Sequence, residues 1–223
     1  MKTLLSWSTG KDSAWSLHVL QQDPAIELVG LFTTLNAEAD RVAMHSTRRA
    51  VMEAQAQAAD LPLHVIEIPY PCPNDVYEAR LGAFVEQARA QGVEAMAFGD
   101  LFLEDIRDYR VKNLEGSGIT PLFPIWQKPT PALAREMVAG GLRARLVSVD
   151  PKQLSADFVG RDFDDDFLDE LPEDADPCGE NGEFHTCVYA GPMFSHPLAL
   201  EPGEQVERDG FVFADFKLSE AAA

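Results

Sequence analysis

The chain predicts an α/β protein, a parallel sheet covered by helices on both faces, with a smaller C-terminal lobe. Three observations carry this prediction. Apolar strand-like runs alternate with helical patterns through the first two thirds of the sequence. The loop Ser8–Ser13 joins the first strand directly to the first helix. After Pro151 the alternation stops and Asp and Glu dominate Arg161 to Asp176. Such alternation needs a sheet with both faces buried, which 223 residues at 46% hydrophobic content can supply. The expected division is 1–150 for the main domain and 151–223 for the lobe.

The elements follow in order. Leu4 to Trp7 is a short apolar strand, and Lys11 to Gln21 carries Ala14, Leu17 and Leu20 at helical spacing. Ile26 to Thr33 is a strand. Ser46 to Ala59 is Ala-rich without a breaker and reads as a helix. Leu63 to Ile68 alternates as a strand and ends at Pro69. Asn74 to Gln91 and Glu104 to Leu114 are helices on either side of a strand at Ala95 to Phe98. Thr130 to Ala139 opens with a Thr cap and Pro131, and Leu142 to Val149 is read as a further strand of the same alternation. Phe163, Phe167 and Leu171 lie at near-helical spacing in the acidic stretch. Asp209-Gly210 between β-rich runs marks a hairpin over Gln205 to Leu218. Glu220 to Ala223 is expected to fray.

Composition weighs against several classes. There are 18 Lys and Arg against 37 Asp and Glu, a formal charge of −19. A field of that sign repels nucleic acid and anionic membrane. No apolar run is long enough for a bilayer, and Met1 to Trp7 reads as a strand rather than a signal peptide, so a cytoplasmic location is expected. Cys72, Cys178 and Cys187 form neither a disulfide framework nor a CxxC motif.

The strongest signal is Ser8-Thr9-Gly10-Lys11-Asp12-Ser13. Small residues let the backbone approach an anion, the helix N-terminus offers unpaired amides, and Lys11 adds a full charge. Ser8 and Ser13 add hydroxyl donors. Asp12 either caps the helix or holds a magnesium ion carried by a nucleotide. This is not a Walker A loop, which needs Ser or Thr after Gly-Lys and a Gly where Leu5 stands.

Three further segments are dense in polar groups. Asp100 follows Phe98-Gly99 at a strand's carboxyl end, where α/β proteins bind ligands. Glu104, Arg107 and Arg110 follow on a helix, with the two arginines on one face; surface ion pairs with Glu104 are the plain alternative. Pro121 to Trp126 is a stiff aromatic segment that walls a pocket or fills core. Cys178 to Thr186 crowds Glu180, Asn181, Glu183, His185 and Thr186 together, a set suited to proton transfer around a His poised near neutral pH.

The loop resembles the SGGKDS signature of the PP-loop ATP pyrophosphatases, with Thr9 in place of the first Gly. With the Gly-Asp strand end, Leu103-Glu104-Asp105, Pro121 to Trp126, Gly160-Arg161 and the Glu-Asn-Gly-Glu-Phe-His-Thr block, the chain resembles the diphthine–ammonia ligase family from Ser8 to about Phe194. The resemblance implies a Rossmann-like fold with a five-stranded parallel sheet. It implies an ATP-dependent ligase that adenylates a carboxylate, releases pyrophosphate and amidates with ammonia. It implies ATP on Ser8, Thr9, Gly10, Lys11, Asp12 and Ser13, with His45 near the adenine and Mg2+ at Asp12. Asp100, Glu180, Glu183 and His185 would be catalytic, and Glu104, Arg107, Arg110, Asn181 and Thr186 would face the substrate. The acceptor is a small molecule or a protein side chain, and a homodimer is the base-rate expectation. The rival readings are an ATP-binding sensor without ligation and a PP-loop tRNA-modifying enzyme. The acidic surface and absent CxxC disfavour the latter.

Overall fold

A computed structural model describes residues 1–42 and 46–219. The strands are β1 (Lys2–Ser6), β2 (Glu27–Asn36), β3 (Arg41–Val42), β4 (Leu63–Ile68), β5 (Ala95–Ala97), β6 (Thr120–Leu122), β7 (Arg143–Val149), β8 (Phe184–Ala190), β9 (Leu200–Arg208) and β10 (Phe211–Leu218). The helices are α1 (Lys11–Gln21), α2 (Arg49–Ala58), α3 (Asn74–Ala90), α4 (Glu104–Leu114), α5 (Thr130–Ala139) and α6 (Asp165–Glu170).

Five parallel strands run β4-β2-β1-β5-β6, with the two-residue β3 antiparallel to the end of β2. The sequence winds outward from β1 through β2 to β4, then returns to the other side of β1 with β5 and β6. The reversal leaves a crevice at the carboxyl ends of β1 and β5. Strand alternation sends Leu4 to one face and Leu5 to the other. Leu4 packs with Phe32, Leu81, Val85, Phe98 and Leu114, so α3 and α4 cover that face. Leu5 joins a second cluster with Leu17, Met52 and Leu133, which continues into Val149, Phe163, Phe184 and Phe216. One core thus runs from the parallel sheet into the C-terminal lobe.

The lobe is an antiparallel sheet in the order β8-β7-β10-β9, so its sheet takes in β7, which lies before the division expected at residue 150. The expectation that Leu142 to Val149 continues the parallel alternation is corrected here. β7 pairs with β8 and β10, both antiparallel. Its burial is nearly continuous, as in a parallel strand, because the parallel domain covers it. The Asp209-Gly210 hairpin is present, with both residues at positive φ (55° and 83°), as a tight two-residue turn requires. Thr130 does not cap α5. Its hydroxyl donates to Asp176 Oδ2 at 2.5 Å and ties the helix to the acidic loop. No helix among the described residues is long and apolar enough to cross a membrane.

Candidate active site

Ser8 to Ser13 leaves β1 and enters α1 as a closed cradle. Ser13 Oγ donates to Gly10 O at 3.0 Å and accepts from Ser8 N at 3.3 Å, while the two serine hydroxyls lie 3.1 Å apart. Thr9 sits at φ 72°. The backbone therefore takes the left-handed geometry that glycine adopts freely and a β-branched residue resists. The surroundings hold it there. Thr9 Oγ1 donates to Thr47 Oγ1 at 2.8 Å, and Thr9 O accepts from Val188 N at 2.9 Å and from Gln55 Nε2 at 3.1 Å. Gln55 is fully buried; it also donates to Val188 O and accepts from the Trp7 indole.

Lys11 is buried at the centre of the cradle. Its backbone N–H donates to Thr186 Oγ1 at 3.0 Å, and its ammonium donates to Asp12 Oδ2 at 2.8 Å and to Cys178 O. The ammonium also faces the Phe184 ring at 5.4 Å. Burial opposes its charge, but Asp12, together with Cys178 and Glu180, more than offsets this and holds the lysine above its ordinary range. Asp12 is raised by burial, against the opposing pull of Lys11. Asp12 Oδ1 is buried without a hydrogen-bond partner among the described residues.

The end of β5 presses directly on this loop. A Cβ at Gly99 would stand 3.0 Å from Asp12 C and Ser13 N, so any larger residue must push the backbone of the loop aside. Asp100 follows, raised by burial and partly countered by Arg110, whose Nε lies 3.6 Å from Asp100 Oδ2. Arg110 also lies over Phe98 at 5.2 Å and donates to Tyr77 OH at 3.4 Å. Ser8, Lys11, Asp12, Ser13, Asp100, Arg110 and the loop from the C-terminal lobe enclose a cavity of about 380 Å³. A second cavity of about 280 Å³ shares Ser6, Ser8, Phe98 and Arg110 with it and has apolar walls at Trp7, Phe32, Val42 and Ile68.

Cys178 to Thr186 closes the opposite wall. Glu180 lines the cavity; burial first, then Asp12, raises its carboxyl to about 8. His185 also lines it, but is not poised near neutrality as the sequence suggests. Burial, and after it the charge of Lys11, lowers the imidazole to about 4, so it is neutral at pH 7. Gly179 takes φ 70° where a Cβ would meet Phe184 O at 2.7 Å.

Glu183 departs from the expected proton-transfer role. Its carboxylate is 1% exposed and turned into its own loop. It accepts from Asp176 N at 2.8 Å, Asn181 N at 2.9 Å and Asn181 Nδ2 at 3.0 Å. Neither Glu183 nor Asn181 lines the cavity. Thr186 lines it, with its hydroxyl engaged by Lys11 N. Glu104 and Arg107 lie outside it. Arg107 stacks on Phe123 at 5.6 Å and Trp126 at 5.2 Å, which gives the Pro121 to Trp126 segment a packing role. His45 lies outside the described residues. Sequence reasoning missed Gln55, Thr47 and Phe184. Gln55 carried a signal: a lone amide on the Val51, Met52, Ala56 face of a helix marks a buried hydrogen-bonding hub.

Comparison with known proteins bears on this arrangement. Residues 130–217 match a family model described as the diphthamide synthase C-terminal domain. The human diphthine–ammonia ligase is 24% identical over 229 residues, covering 93% of this chain and 85% of the relative. The chain is thus similar to the diphthine–ammonia ligases along most of its length. The Schizosaccharomyces pombe diphthine–ammonia ligase is 28% identical over 229 residues, covering 93% of this chain and 37% of the relative. The Bos taurus diphthine–ammonia ligase is 27% identical over 147 residues, 63% of this chain and 53% of the relative. The matched segment begins at the first residue of α5, contains the antiparallel sheet except the last residue of β10, and carries Glu180 and His185.

Proposed function

We propose that the protein is an ATP-dependent ligase that adenylates a carboxylate, releases pyrophosphate and forms an amide with ammonia. The observation that carries this reading is the meeting of Lys11 and Glu180 in one cavity, an anion cradle on one wall and a proton-accepting carboxyl on the other. The names of the relatives supply the class of reaction.

Each part of the cavity has a task. The amides at the start of α1, the Ser8 and Ser13 hydroxyls and the Lys11 ammonium hold the phosphates. The adjoining cavity, walled by Trp7, Phe32 and Val42, takes the nucleoside. Asp12 and Asp100 fit a magnesium ion brought by the nucleotide. Asp12 Oδ1 is a buried oxygen without a hydrogen-bond partner among the described residues, and Asp100 Oδ2 has only the 3.6 Å ion pair with Arg110; such ions use one or two carboxylates beside phosphate oxygens. Among the described residues no three ligating side chains form a protein cage. The ion would offset phosphate charge that this acidic chain cannot. Arg110, beside Asp100, offers its guanidinium to the α phosphate or the incoming carboxylate. When ammonia attacks the acyl carbon, a proton must leave the nitrogen as the C–O bond to AMP breaks. Glu180 in its ionised form accepts that proton, since its pKa lies near the working pH. Neutral His185 orients the incoming group by hydrogen bonding.

The test is ATP labelled on the α and γ phosphates, incubated with magnesium, ammonium and pools of carboxylates. AMP and pyrophosphate, lost in Lys11→Met, are expected. ADP and phosphate would sink the ligase reading, and ATP binding without AMP from any pool would favour a sensor.

A further inference from the structure

A third cavity of about 450 Å³ lies between the ends of β2 and β4 and the β9–β10 hairpin. It meets the reaction cavity at His185 and Phe211, which line both. Tyr70, Phe211 and Phe213 give it an aromatic wall. Its floor holds an unusual group. Ser148 is wholly buried, and its Oγ has no hydrogen-bond partner among the described residues. A buried hydroxyl without a partner is unfavourable, and a polar ligand atom that reached it would satisfy it. Ser148 is paired across the sheet with His185, so the two stand side by side.

The rim carries arginines in a chain of charge −19. Arg41 and Arg208 line the groove, and Arg48 stands beside Arg41 on the shared partner Asp215. Arg208 lies over the Phe213 ring at 4.9 Å and donates to Ser46 Oγ. Asp215, Asp209 and Glu204 face these three guanidiniums, so the charges here are near balance. Against a chain charge of −19, such a balanced patch repels an anion less than the rest of the surface does.

We infer that this groove is the acceptor site, and that the acceptor is a small organic acid with an apolar body. This rests on the ligase reading above. The apolar body lies on Phe211 and Phe213, a polar group meets Ser148, and the carboxylate passes His185 toward the phosphate loop. The volume falls in the range of small-molecule pockets.

The test is saturation-transfer NMR of octanoate, 3-phenylpropionate and acetate on the full chain with magnesium and α,β-methylene-ATP. Octanoate or phenylpropionate should bind at least tenfold tighter than acetate. Phe213→Ser and Tyr70→Ala should each weaken that binding fivefold or more, with nucleotide affinity within twofold of the parent. Tyr70 is 62% exposed, so Tyr70→Ala keeps the test alive should Phe213→Ser fail to fold. Tight binding untouched by either variant would place the acceptor elsewhere. Failure of all three acids to bind, or acetate binding as tightly as the larger two, would overturn the proposed class. An acid that binds in the groove yet yields no AMP from ATP would overturn the ligase reading and leave the groove as a binding site.

Discussion

Replacing Glu183 with Gln separates a loop fastener from a catalytic acid. Oε1 accepts two of the three hydrogen bonds and Oε2 the third, all within Asp176 to Glu183. A glutamine can keep its oxygen toward Asp176 N and Asn181 Nδ2. Its amide nitrogen then faces Asn181 N, donor against donor, at what was a 2.9 Å contact. One charge-assisted hydrogen bond is lost and one buried N–H is left unpaired, and the remaining bonds lose the charge. The expected destabilisation is about 3 kcal/mol. With a urea m-value of about 2 kcal/mol/M, the unfolding midpoint should fall by roughly 1.5 M. The same loop carries the Cys178 carbonyl that receives Lys11 and the Glu180 side chain that lines the cavity. ATP affinity and turnover should therefore fall together. A midpoint within about 0.3 M of the parent, with ATP affinity intact and turnover down a hundredfold, would refute this and restore Glu183 to catalysis.

Three further predictions follow from the same geometry. Thr9→Ala keeps the positive φ and loses the bond to Thr47, so it should cost about 1–3 kcal/mol in thermal or urea unfolding; Thr9→Gly relieves the backbone strain and should lie within about 1 kcal/mol of the parent. Gly99→Ala drives a methyl into the backbone of Asp12 and Ser13 and should weaken ATP binding about tenfold or more by titration calorimetry. Glu180 and His185 set opposite pH dependences. Glu180 is raised to about 8, so its stabilising effect is full below about 4.5 and is lost as pH rises through 8; His185 is lowered to about 4, so its effect is present above about 6.5 and is lost as pH falls through 4. Glu180→Gln should therefore remove the loss of melting temperature between pH 6.5 and 8, leave the acid-side loss in place, and lower amide formation; a parent-like alkaline slope in this variant would contradict the assignment.

Much of the parallel domain was legible because its signals are local. The run from β1 into α1 combines an apolar strand, a small-residue loop and helical spacing, and no distant residue is needed to read it. Asp100 and Gly99 were placed by the rule that strand ends face the ligand. The lobe was harder. β7 reads as a buried strand in either sheet, and its partners β8 and β10 lie far along the chain. β8 was masked by the polar residues before it. Glu183 misled because a carboxylate turned into its own loop and one turned into a cavity have the same sequence. His185 misled because its neutral state comes from enclosure by residues that only folding brings near. Thr9 shows the converse: the departure from glycine was visible, and the structure supplies the Thr47, Val188 and Gln55 contacts that hold it.

The bonds from β8 to the phosphate loop have a thermodynamic consequence. Thr186 receives Lys11 N and Val188 N reaches Thr9 O, so the strand that presents His185 is anchored on the cradle itself. Any free energy with which a nucleotide tightens that cradle is felt by the strand. By reciprocity, an occupant held against His185 must alter nucleotide affinity by the same factor that nucleotide alters its own. The two ligands are then energetically linked through a pair of hydrogen bonds, and neither binding constant is a property of its own pocket alone.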